Sequence, residues 1–174
     1  TFAQVNAWAN SVIYGGFDDW RLPSVDPING STFNISFSFN GTTDRSFNNG
    51  STQSEMGYMF YHNLGNVSFF SPSGLGAQPG SDSFNSSFVD GLTGEIFSFA
   101  SIELTYWATP ANIPFANTAW GFNFRNFNNL ATGEQQIHGV NSALSGWLVR
   151  DGDVGPQNVN NNPDPDPIPE PGSL

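Results

Sequence analysis

The chain has 174 residues, a formal net charge of −11, 15% aromatic residues and only 11% charged ones. It contains no cysteine and no lysine, and its four cations are Arg21, Arg45, Arg125 and Arg150. Disulfides and thiolate metal sites are thereby excluded, repulsion of phosphate argues against nucleic acid, and the aromatic content is that of a folded domain with a core.

Phe2, Val5, Trp8, Ala9, Val12 and Ile13 recur at three- and four-residue spacing, which predicts an opening helix. Thr1 and Gln4 have the spacing of a capping box, and Gly15-Gly16 supplies a stop. Asp18-Asp19-Trp20-Arg21-Leu22-Pro23 follows, where proline rules out continued helix. Phe33, Ile35, Phe37 and Phe39 alternate with polar residues and predict a strand with one buried face, with a weaker return strand near Phe47. A second helix is predicted from Thr52, capped by Glu55, with Met56, Met59, Phe60 and Leu64 on its apolar side.

Residues 71–94 read as a long polar loop pinned by Phe84, Phe88 and Val89. Strands are predicted at 96–99, 102–107, 120–125 and 147–150. The composition changes after Asp153 to proline, asparagine and aspartate. Residues 1–153 therefore read as one domain and 154–174 as an extended tail with polyproline II character. No signal peptide opens the chain, so the sequence reads as starting within an exported, mature protein. This order of elements predicts an α+β fold: two helices packed on antiparallel strands, with long loops.

Catalytic machinery is hard to find. His62 and His138 lie far apart and outside any motif, and His62 reads as a polar or partly buried packing residue on the second helix. Asp18-Asp19 is the nearest pair of carboxylates, but adjacent residues on a turn point in different directions. Trp20 reads as core, and Arg21 as the donor of charge-assisted bonds to a carboxylate or to carbonyls. Arg150 reads as a structural partner of Asp151 or Asp153. Calcium is the one cofactor left open, with Asp151 and Asp153 as its weak candidate ligands. Asn29, Asn34, Asn40, Asn49, Asn66 and Asn85 each begin an Asn-x-Ser/Thr triplet, the acceptor pattern for N-linked glycans.

Several stretches carry a resemblance. Ala7-Trp8-Ala9-Asn10 leading to Trp20-Arg21-Leu22-Pro23 resembles the entry motif of the Lcl C-terminal domain family. Tyr106-Trp107, the segment from Trp120 to Phe124, and Trp147 to Arg150 resemble its later pieces. The resemblance implies a C-type-lectin-like fold and a bacterial surface adhesin. Family members of this kind carry a strand before the first helix, so its absence here predicts an open sheet edge. Pro169-Glu170-Pro171 near the end resembles the start of a PEP-CTERM sorting signal, which implies export to the surface of a bacterium that makes exopolysaccharide.

Together these readings predict a non-catalytic protein of the extracellular surface or matrix. It self-associates through its tail or an open sheet edge, and a filament is one expected product. The alternative is a carbohydrate-binding module for neutral exopolysaccharide, with Tyr106 and Trp107 as stacking platforms.

Overall fold

The computed structural model describes residues 1–89, 93–111, 115–126 and 128–151. The first helix, α1 (Phe2–Ala9), starts as predicted: Gln4 Oε1 accepts from the Thr1 amino group at 3.1 Å, closing the capping box. It ends four residues before Ile13. There the Ser11 hydroxyl and N–H both donate to the Trp8 carbonyl, at 2.8 and 3.0 Å, and tighten the last turn. The second helix, α2 (Glu55–Tyr58), starts on Ser54, whose hydroxyl accepts from Gly57 N–H. It widens into a π-helix at Met59–Asn63.

The rest is mostly β. Among the described residues seven strands form two sheets: β1 (Phe37–Ser38), β2 (Arg45–Phe47), β5 (Thr105–Ala111), β6 (Thr118–Arg125) and β7 (Ala131–Gly139) in the order β1-β2-β7-β6-β5, and β3 (Ser87–Val89) with β4 (Ile96–Ser98) as a separate ribbon. Every pairing is antiparallel except β1 with β2. The expected α+β, C-type-lectin-like architecture is overturned: two short helices accompany a predominantly β structure. The central strand β7 was not expected at all, because it contains mostly Gly, Gln, Glu and Thr. The predicted strand over 33–39 shrinks to two residues. The Asp44 carboxylate accepts from Ile28 and Asn34 N–H at 2.8 and 2.5 Å, and a side chain thus takes the place of a ladder.

Strand register sorts the side chains between two faces. Tyr106, Phe122 and Gln135 lie in one cross-strand row, and Ala108, Trp120 and Ile137 in the next. This face packs on the second helix: Phe60 meets Phe122 and Phe124 at 5.6 and 5.7 Å between ring centroids, over Met56 and Leu64. Trp147 stacks on Phe124, nearly parallel at 5.5 Å. On the other face, Trp107 and Ala119 are buried with Ala9 and Leu22, against Phe2 and Val5 of α1.

The outer edge of β5 is not open along its length. Thr109 exchanges bonds with Pro23 and Val25, and Ser145 with Thr105 and Trp107. The β5 edge is therefore closed at these residues. The tail expectation concerns residues 154–174, which lie outside the described residues.

Candidate functional site

The Trp-Arg-Leu-Pro segment is a structural junction. Leu22 and Pro23 are buried, and Arg21 pairs its backbone with Val149 in both directions, at 2.9 and 3.0 Å. Its guanidinium grips Glu55 with two nitrogens, at 2.7 and 2.9 Å, and also reaches Asp151. The second Glu55 contact is the N–H of Ser24, at 2.6 Å. Glu55 thus stays ionised below the usual carboxylate range: burial opposes its charge, but bonds from Arg21 and Ser24 and the charge of Arg21 outweigh it. Trp20 is not core; it is half-buried, and its Nε1 donates to Tyr14 O at 3.1 Å. Arg150 does not pair with Asp151, and Asp153 lies outside the described residues. It binds Asp19 through Nε and Nη2, at 2.8 and 3.0 Å, and lies 3.7 Å over the ring of Phe17. The bond from Arg150 holds Asp19 below its ordinary range.

Other expectations are corrected or relocated. Tyr106 and Trp107 are 5% and 0% exposed, so neither presents a stacking face to a sugar; Trp120 is likewise buried. Asp151, one calcium candidate, is instead engaged by a guanidinium. Asp153, Pro169, Glu170 and Pro171 lie outside the described residues. Among the described residues no group of three or more His, Asp or Glu is placed to hold a metal ion. His62 is exposed against Tyr58, its Nε2 2.7 Å from Gly50 O, while His138 packs on Trp107, so the two do not converge. Both carboxylates of the Asp18-Asp19 pair are exposed, and Asp19 is committed to Arg150.

The arrangement that sequence reasoning missed lies on the face of the sheet beside α1. Thr105 on β5 donates to Asn123 Oδ1 on β6 at 2.8 Å, and Asn123 Nδ2 donates to Glu134 Oε2 on β7 at 2.7 Å. Gln136 Nε2 donates to the other Glu134 oxygen at 2.9 Å, and Arg45 Nε on β2 donates to Gln136 Oε1. Arg45 also sits 5.6 Å over the ring of Phe37 on β1. One chain of polar contacts therefore crosses four strands, and the guanidinium over Phe37 extends it to the fifth. Register makes this so: Thr105, Asn123 and Glu134 share a row, and Gln136 lies one step along beside Arg45.

All five polar side chains are half-buried, and Phe37 is exposed at the sheet edge. Phe37, Phe39, Phe47 and Phe70 form a ring cluster beside the network, with centroids 4.9–5.9 Å apart. Burial pushes the Glu134 carboxyl up, against the bond from Asn123 and the charge of Arg45. Its sequence signal is faint: five polar residues on four strands, with no spacing that links them.

The Asn-x-Ser/Thr triplets have a local role. The side-chain oxygens of Asn29, Asn34, Asn40, Asn49 and Asn85 each accept from the backbone N–H two residues on, closing Asx turns. In Asn29, Asn40, Asn49 and Asn85 the hydroxyl of that Ser or Thr adds a second bond.

Comparison with protein-family models, with curated proteins and with solved structures gives no match for this chain.

Proposed function

We propose that this chain is a non-catalytic protein of the bacterial extracellular surface or matrix, where it acts by adhesion and self-association. The observation that carries the reading is how its ion pairs are used. Arg21 joins residues 55 and 151, and Arg150 joins residue 19, so the two ends of the domain are fastened by charge-assisted bonds instead of disulfides. Such a fold suits an exposed, cysteine-free building block. The resemblance of its Trp-Arg-Leu-Pro and later segments to the Lcl C-terminal domain family supports the adhesive reading. The resemblance of Pro169-Glu170-Pro171 to a sorting signal supports the surface location.

Self-association finds support in the ribbon of β3 and β4. Val89, Ile96 and Phe97 are 62%, 72% and 45% exposed there, and among the described residues each strand is paired only with the other. The test is location and assembly in the native host. Antibody labelling of intact cells should detect the protein, and replacing Pro169-Glu170-Pro171 by alanines should move it into the medium. Protein found only in the cytosol would overturn the reading.

A further inference from the structure

We infer that the half-buried row formed by Phe37, Arg45, Gln136, Glu134, Asn123 and Thr105 is a binding surface for a neutral polysaccharide. This deepens the adhesive reading above, and rests on it for the source of the ligand: the matrix in which the protein would sit.

The first argument is unspent hydrogen-bonding capacity. Arg45 uses Nε on Gln136, and its two terminal nitrogens have no partner among the described residues. The side-chain amides of Asn123 and Gln136 each give one N–H to Glu134, and each amide nitrogen carries a second. Each Glu134 oxygen accepts one amide and keeps a further lone pair. Free donors on Arg45, Gln136 and Asn123 thus flank the free acceptors of Glu134, held in place by their own mutual bonds. Sugar hydroxyls both donate and accept, so a row of planar groups that offers both matches vicinal diols.

The second argument is charge. The row holds one cation and one anion, Arg45 and Glu134, and these cancel. Around them the chain carries −11, which repels polyanions. A sulfated or phosphorylated glycan is disfavoured; a neutral one meets no penalty.

The third argument is shape. Strands lie about 4.8 Å apart, close to the width of a pyranose ring, so a run of sugars crossing the strands meets one polar group per residue or so. Phe37 closes the row with an exposed aromatic ring, available to the apolar face of a terminal sugar. The row needs no deep cleft, as befits a polymer laid across a sheet.

The test is affinity gel electrophoresis of the full chain through gels containing dextran, laminarin or galactomannan, with dextran sulfate as the anionic control. Retardation by at least one neutral polymer, and none by dextran sulfate, is expected. Arg45→Met and Gln136→Ala should each weaken it at least ten-fold while melting temperature and elution volume stay unchanged. Arg45→Met is the gentler change, since the guanidinium makes a single hydrogen bond within the row. If Gln136→Ala unfolds the chain, Arg45→Met alone decides. No retardation by any neutral polymer, or retardation indifferent to Arg45→Met, overturns the inference. So does a self-associating species that Arg45→Met disperses, because a second copy would then be the occupant. Failure here with the protein still on intact cells would leave the surface role standing without this ligand.

Discussion

Arg21 and Glu55 lie 34 residues apart and meet through two parallel hydrogen bonds, at 2.7 and 2.9 Å. Their pairing joins the strand-like segment after the first helix to the start of the second helix, while the Arg21 backbone holds Val149. Glu55→Gln removes the charge from this junction. Both side chains are about a third exposed, which weakens the pair by solvent screening, so the expected cost is about 1–2 kcal/mol. In thermal melts that corresponds to roughly 2–4 °C per kcal/mol. The carboxyl is held below its ordinary range, so its contribution is present above that range and is lost as pH falls through the depressed folded value. The acid limb of the stability curve should therefore be shallower in Glu55→Gln.

Glu134 titrates in the opposite sense. Burial raises its folded value, so the folded state holds a proton that the unfolded chain has already released. Its favourable contribution is complete below the ordinary glutamate range and is lost as pH rises through the folded value. Carboxyl carbon shifts in an NMR titration should place its midpoint above that of an exposed glutamate. The charge of Arg45 moderates the rise, so Arg45→Met should move the midpoint further up. A midpoint unchanged by that substitution would separate Arg45 from Glu134 electrostatically.

The strands β5 and β6 were legible because Trp120, Phe122 and Phe124 alternate with polar or small residues and all three are buried. The second helix was legible from its apolar spacing but not from its cap, which is Ser54 and not Thr52, while Glu55 turns to Arg21 and Ser24. The strand β7 was not, because its inward residues are Ala131, Gly133, Gln135 and Ile137. Gln135 is 1% exposed, yet it is satisfied there by Ser54 Oγ and by Asp44 O. Burying an amide this way depends on partners 81 and 91 residues away, which no local pattern encodes. The first half of the chain was misread for a related reason. Asn48 donates to Phe39 O and Phe70 O, and Gln78 to Ser68 O and Phe70 O, so side-chain amides replace strand ladders through this region. The candidate binding face was illegible because it is assembled across strands, from residues spread between 37 and 136.

Gly133 is a point where backbone and packing coincide. Its φ is +65°, and a Cβ there would lie 2.6 Å from the Tyr61 hydroxyl and 2.7 Å from the Phe60 ring. The Tyr61 hydroxyl donates to Gly133 O at 2.5 Å and accepts from Asn48 N–H, so it has little room to retreat. Gly133→Ala should cost at least about 2 kcal/mol, from left-handed strain plus overpacking. Denaturant unfolding should show the midpoint falling with an unchanged slope.

The Asn-x-Ser/Thr triplets differ in accessibility. Asn49 and Asn66 are 1% and 6% exposed, so neither amide can accept a glycan on the folded domain. Peptide mapping of native material should find both unmodified, even where Asn29, Asn34 or Asn40 carries added mass. Asn85 is structural despite its exposure. It donates to Leu64 O and Ser87 O at 2.6 and 2.9 Å, and accepts from Ser87. Asn85→Ala should cost about 1–2 kcal/mol, and Asn29→Ala, which serves only its own turn, clearly less.

His138 gives the domain a pH dependence of its own. It packs edge-on against Trp107 with ring centroids 6.1 Å apart, and its Nε2 is buried with no partner. Burial disfavours the imidazolium, so the folded value is depressed. The unfolded imidazole takes a proton near pH 6.5, as exposed histidines do. Below about that pH the unfolded chain binds a proton that the folded chain resists, so stability falls with falling pH. Above it the contribution is complete. Glu55 adds its own loss only at lower pH, in the carboxylate range. Melting temperature should therefore decline between about pH 7 and pH 5 in the native chain, before the carboxylate limb begins. His138→Leu keeps a side chain against Trp107 and removes both the proton site and the orphaned nitrogen, so the decline toward pH 5 should disappear over that interval, leaving only the opposite slope of Glu134. An equal slope in the two proteins would mean that His138 is protonated in the folded state, with its nitrogen reaching water.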